Sequence, residues 1–153
     1  LITKAYSSYV FLGELITDAV LPYREHPLST CSSCGACLSA CPWQRGESEV
    51  CLSALTQKKG VLSEVERATL ARHNTVWGCD ICQEVCPYTQ RAKATGSIYT
   101  PLSFFKEDCI PLVSAEKITA MDEKDFACRA YSWRGRETIL RNLAIAEESD
   151  DTQ

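Results

Sequence analysis

Apolar positions along the chain outline its elements before any chemistry is considered. Residues 6–21, YSSYVFLGELITDAVL, are dense in aromatic and branched side chains, which predicts one or two strands bent at Gly13 and ended by Pro22 and Pro27. So short a strand pair has no core of its own and calls for a sheet from elsewhere. SEVCLSALTQKKG, residues 48–60, reads as a helix closed at Gly60, with Lys58 and Lys59 in the last turn where they suit the helix dipole. In SEVERATLARHN, Ser63 with Glu66 three residues on is a capping-box signature, and Val65, Ala68 and either Leu70 or Arg72 turn toward a packed face. Residues 113–131 predict two helical pieces with Ile118, Met121 and Phe126 in the core. A last helix spans 135–147, where Ile139, Leu140, Leu143 and Ala144 make an apolar stripe. The acidic EESDDTQ after it predicts a frayed end.

Composition changes the picture at one point, the ten cysteines among 153 residues. Seven of them sit in two boxes, CSSCGACLSACPW at 31–43 and CDICQEVCPY at 79–88. An even count admits a disulfide framework, but thiols two or three residues apart are crowded for stapling and no apolar leader precedes them. No apolar run reaches the roughly 18 residues a membrane span needs, which predicts a soluble chain. A net charge of -4 gives no global attraction to nucleic acid, though it leaves a local basic face open. The start at Leu1 without methionine, together with strands lacking a sheet, predicts a piece of a larger protein.

Cys31, Cys34, Cys37 and Cys41, followed by Pro42, have the spacing with which a ferredoxin-type loop wraps a [4Fe-4S] cube with three thiolates and exports the fourth to a neighbouring cube. Cys79, Cys82 and Cys86, followed by Pro87, supply the second box one ligand short, and Cys51 is the natural supplement. The expected sets are Cys31, Cys34, Cys37 and Cys86 for one cube, and Cys79, Cys82, Cys41 and Cys51 for the other. Two zinc sites are the alternative, since each needs four ligands in a closed tetrahedron. Cys109 and Cys128 fall outside either pattern and read as small buried hydrophobes. Trp43 and Trp77 flank the boxes and suit shielding, and His73 reads as packed or solvent-facing rather than as a ligand. Paired cubes pass single electrons without selecting a substrate, so the spacing alone implies an electron-transfer module.

The order YSSYVFLGELITD, CSSCGACLSACP, CLSALTQKKG, WGCDICQEVCPY, RGRETILRNLAIA resembles the iron-sulfur part of the epoxyqueuosine reductases, from about Tyr6 to Ala146. The resemblance implies a two-cluster protein that works with cobalamin on the epoxide of epoxyqueuosine in a tRNA anticodon, reducing it to the alkene of queuosine. It places the eight cluster cysteines on Cys31, Cys34, Cys37, Cys41, Cys51, Cys79, Cys82 and Cys86. It also makes the Phe11–Asp18 region the end of a cobalamin-binding domain, so that the fragment alone is expected to be inactive. The interval from Cys41 to Cys51 is shorter than in the family, which leaves Cys109 or an outside ligand as a substitute for Cys51. Arg129, Arg134, Arg136 and Arg141, beside Tyr131 and Trp133, become candidate RNA contacts.

The expected architecture is therefore α+β, a two-cluster [4Fe-4S] ferredoxin-like core with C-terminal helices. Its expected divisions are residues 1–27 ending a truncated cobalamin-binding domain, 28–100 as the double-cluster domain and 101–153 as a helical segment. The implied setting is a cytoplasmic monomer without membrane contact, served by an external low-potential electron donor. The alternatives are another cobalamin and iron-sulfur reductase, a stand-alone ferredoxin-like carrier and a zinc-stapled interaction module.

Overall fold

The computed structural model describes residues 2–25 and 31–150, the side chains of residues 149 and 150 excepted. Pro27, the boundary placed between residues 27 and 28, and the last three residues of the tail lie outside the described residues. Regular structure among the described residues is helical: α1 Ala36–Ala40, α2 Leu52–Thr56, α3 Glu64–His73, α4 Ile81–Glu84, α5 Pro87–Ala94, α6 Ala115–Ala120, α7 Glu123–Ala127 and α8 Arg136–Asp150. Single 3-10 turns lie at Ser103–Phe105 and Ser132–Arg134.

No sheet forms among the described residues, where the only strand-like pairing is an isolated bridge between Thr3 and Ser7. The expected α+β, ferredoxin-like class is thereby corrected to an all-helical one. Residues 9–25 have no regular structure. Their large apolar side chains face outward, Phe11 at 91%, Ile16 at 96% and Val20 at 99% exposure. The composition suits strands, but an edge without a partner leaves the ladder unformed. The strands that were to call for a sheet are absent among the described residues. Phe11 instead stacks on Phe105, ring centroids 5.8 Å apart.

Local signals in the helical half translate more directly. The Ser63 hydroxyl accepts from the Glu66 N–H at 3.2 Å, while the Glu66 carboxylate accepts from the Ser63 N–H at 2.9 Å, completing the capping box of α3. Residues 115–127 form two pieces, α6 and α7, capped by the side chains of Ser114 and Asp122. The predicted helix over 48–60 is shorter, ending at Thr56, so Lys58 and Lys59 follow it rather than occupy its last turn.

Helix α8 organises the core because it packs on α2, α3 and α6. Its Ile139 and Leu143 join Ile118 and Phe126, with Met121 and Trp77 packed around them. Ile145 joins Leu55, Leu62 and Leu70 on another face. A helix flanked on several sides buries more than one stripe. Asn142, Ile145 and Ala146 are therefore buried where the simple stripe placed Ala144, which is exposed. Among the described residues no helix is long and apolar enough to cross a membrane.

Candidate functional site: a chamber walled by cysteines

Each cysteine box folds around a short helix. In the first, Gly35 takes φ 76°, a left-handed conformation open to glycine, and turns the chain into α1. Cys37 lies on α1 and Cys41 ends it with extended backbone. In the second, Cys82 lies on α4, and Cys86 caps α5 ahead of Pro87, whose fixed φ suits the first helical position. Helices α1 and α4 pack together, so the boxes meet across the 35 residues, 44–78, that separate them in the chain.

Between them lies a cavity of about 230 Å³ lined by Cys31, Cys34 and Cys37 from one box and Cys82 and Cys86 from the other, with Ile2, Ser7, Ser8 and Tyr88 completing the wall. Cys82 is exposed on one side, yet desolvation on the other raises its thiol pKa, and the thiols of Cys41, Cys79 and Cys37 push in the same direction. Cys51 stands at the N-cap of α2, exposed and outside the residues lining this cavity. The turn through residues 42–47, closed by the Glu47 N–H donating to the Pro42 carbonyl at 2.8 Å, absorbs the short interval between Cys41 and Cys51. Cys109 and Cys128 are exposed, not buried, and no disulfide joins any of the ten cysteines.

The second box is held from behind by a network that the cysteine spacing did not announce. The Gly78 N–H donates to Thr56 Oγ1 at 3.1 Å, and Thr56 Oγ1 donates to the Ser53 carbonyl at 2.9 Å. Asn142 Nδ2 donates to the carbonyls of Thr56 and Val76, each at 2.8 Å. Thr56 and Asn142 are both essentially buried. One amide on α8 therefore fixes α2 and the strand of chain entering Cys79. The only signal for it in the sequence is a polar residue inside the apolar stripe of α8.

The arginines of the expected RNA patch have separate surroundings. The Arg141 guanidinium donates to the carbonyls of Lys58 (2.9 Å) and Gly60 (2.6 Å) and to Asn142 Oδ1, and burial lowers its pKa. Arg136 donates to the Ile118 carbonyl, pairs with Glu123 at 2.9 Å and lies over the Phe126 ring. Arg129 donates to the Asp108 carbonyl at 2.7 Å. Arg134 stacks over Trp133, 4.0 Å from the ring centroid, and Trp133 is 58% exposed with its edge against Trp77. Trp43 is exposed beside the first box.

Fold and boxes define a class, an all-helical protein whose two cysteine boxes pack face to face, and a family model described as a 4Fe-4S double cluster binding domain matches residues 30–89. Among curated proteins, an epoxyqueuosine reductase of Listeria monocytogenes is 38% identical over 95% of this chain and 39% of its own length. An uncharacterized protein in the gldA 3' region of Geobacillus stearothermophilus is 33% identical over 92% of this chain and 67% of its own length. The solved epoxyqueuosine reductase of Streptococcus thermophilus superposes with a TM-score of 0.71 at 32% identity, over 97% of this chain and 40% of that one. The chain is similar to epoxyqueuosine reductases along nearly its whole length. It spans about two fifths of the length of the curated reductases it matches.

The side chains allow a test of the metal groups that the spacing and the family model imply. Among the described residues, no three His, Cys, Asp or Glu side chains come together as a group that could hold a metal ion. Five thiols share a cavity wall without converging into a cage, so the expected pair of four-cysteine [4Fe-4S] sites is not what this arrangement presents. The zinc alternative, which needs closed tetrahedra, meets the same geometry. Recognition as specifically the iron-sulfur part, two clusters as cofactors, cobalamin dependence, and the electron-transfer, iron-sulfur and metal-binding descriptions are corrected on this ground. The likeness to epoxyqueuosine reductases is independent of it.

Proposed function

We propose that this chain serves epoxyqueuosine reduction in queuosine biosynthesis. The likeness to the Listeria reductase over nearly the whole chain carries the reading. Converting an epoxide to an alkene takes two electrons and two protons and releases water. An external low-potential donor supplies the electrons, and the substrate is the modified base in a tRNA anticodon, met in the cytoplasm by the monomeric protein. The two cysteine boxes are the functional centre, with Cys31, Cys34, Cys37, Cys41, Cys79, Cys82 and Cys86 near the packed α1 and α4, and Cys51 as an outlying member. The boxes fall within the division 28–100, although α8 from the division 101–153 completes their support.

On the RNA side, Arg134 on the exposed Trp133 offers a cation and a ring to phosphate and base, with Arg129 beside it. The Arg136 guanidinium is engaged with the Ile118 carbonyl and that of Arg141 with the Lys58 and Gly60 carbonyls, which leaves both less free to meet a phosphate. Deleting the gene in its host and analysing the tRNA nucleosides by mass spectrometry tests the reading. Epoxyqueuosine replacing queuosine is the expected result, and an unchanged queuosine content would overturn it.

A further inference from the structure

The loop of residues 99–108 carries large rings that the core does not take up. Tyr99 is 69% exposed and Phe104 77%, and Phe104 meets Phe105 edge-on with ring centroids 5.3 Å apart. Neither buried apolar cluster among the described residues includes a member of this loop. The 3-10 turn at Ser103–Phe105 brings Lys106 back to Tyr99, where its ammonium lies 4.2 Å from the ring centroid and donates to the hydroxyl at 2.7 Å. That bond holds the ammonium at the phenol end, so most of the ring stays open to solvent.

The same pairing of cation and ring recurs in the turn of residues 129–134, where the Arg134 guanidinium lies 4.0 Å over the exposed Trp133 ring. One hydrogen bond ties the two segments together, Arg129 donating to the Asp108 carbonyl at 2.7 Å. Among the described residues no carboxylate pairs with Lys106 or Arg134. Glu107 and Asp108 follow Lys106 in the chain, so the surface gains little from net charge and depends on its rings. A cation beside an open ring offers a phosphate contact next to a stacking face. Unpaired bases can use both, whereas a duplex keeps its bases stacked on one another and presents no face to a ring.

We propose that residues 99–108 and 129–134 form one docking surface for a single-stranded RNA loop, with Tyr99 and Trp133 each stacking an unpaired base and Lys106 and Arg134 meeting the adjacent phosphates. This rests on the tRNA substrate of the functional reading and deepens it in two respects. It adds the loop of residues 99–108, which the arginine pattern does not mark, and it makes unpaired bases, not a helical stem, what the surface selects.

Fluorescence anisotropy with the intact protein compares a labelled hairpin RNA bearing an unpaired anticodon-type loop with a fully paired duplex of the same length. The hairpin should bind roughly tenfold more tightly than the duplex, and Tyr99→Ala should remove about that factor, while Tyr99→Phe keeps the ring and should bind like the parent. Lys106→Ala should make the fall of log affinity with log salt shallower by about 0.7, the share of one phosphate contact on a single strand. Both side chains are exposed, so these changes leave the fold intact, which circular dichroism checks. Parental hairpin affinity in Tyr99→Ala, an unchanged salt slope in Lys106→Ala, or equal binding of the duplex would overturn this surface and leave the tRNA reading in place. A parent protein that binds no hairpin would overturn both.

Discussion

Asn142 joins three parts of the molecule through one side chain. Its Nδ2 meets the Thr56 and Val76 carbonyls and its Oδ1 accepts from Arg141, at 1% exposure. Truncation leaves two buried carbonyls without those partners, at about 1–3 kcal/mol each. Asn142→Ala should therefore destabilise the protein by roughly 2–4 kcal/mol, read from chemical denaturation. Asn142→Asp should be at least as damaging, because an acceptor would then face two acceptors. Loss of less than about 1 kcal/mol in both variants would show that the network does not anchor the second box. At this scale the sequence is informative about cysteines, which their spacing makes conspicuous. It is silent about Thr56 and marks Asn142 only as a polar residue within an apolar stripe, because their importance arises when α8 reaches α2.

At the scale of elements, α3 illustrates how a local code becomes stability. Lys58 and the Ser63 N–H both favour the Glu66 carboxylate, in that order, and hold its pKa below the ordinary 4.5. A depressed carboxylate contributes fully above the unfolded value and loses its contribution as pH falls through the folded one. The helix should accordingly weaken as pH drops below about 4.5, followed by circular dichroism, and Glu66→Gln should flatten that acid limb. Ser63→Ala should cost about 1 kcal/mol at neutral pH. The capping box was legible because its partners are three residues apart. Residues 6–21 form no strand despite their composition, because strand propensity describes a fit to neighbours and the described residues provide no ladder there. Cysteine spacing likewise predicts which boxes meet, and α1 does meet α4, but the positions of the thiols on the cavity wall depend on side-chain directions that spacing leaves open.

Helix α8 gathers α2, α3 and α6, with apolar clusters on two of its faces, while α1, α4 and α5 of the cysteine boxes pack on one another. None of α1, α2 or α4 exceeds five residues, too few to be stable alone, so the boxes depend on packing and on the Asn142 network for their shape. Burying side chains such as Leu70, Ile118 and Ile139 stabilises this arrangement by about 1.5–3 kcal/mol apiece. The chamber where the boxes meet is then the place at which the fold and the proposed role in epoxyqueuosine reduction coincide. The most direct measurement is the ratio of epoxyqueuosine to queuosine in tRNA from a host whose own copy of the gene carries single Cys→Ser changes. Cys34→Ser and Cys82→Ser should leave epoxyqueuosine in place, while Cys109→Ser and Cys128→Ser should keep queuosine at the parental level. Normal queuosine with both chamber variants would contradict the claim that these thiols form the functional centre.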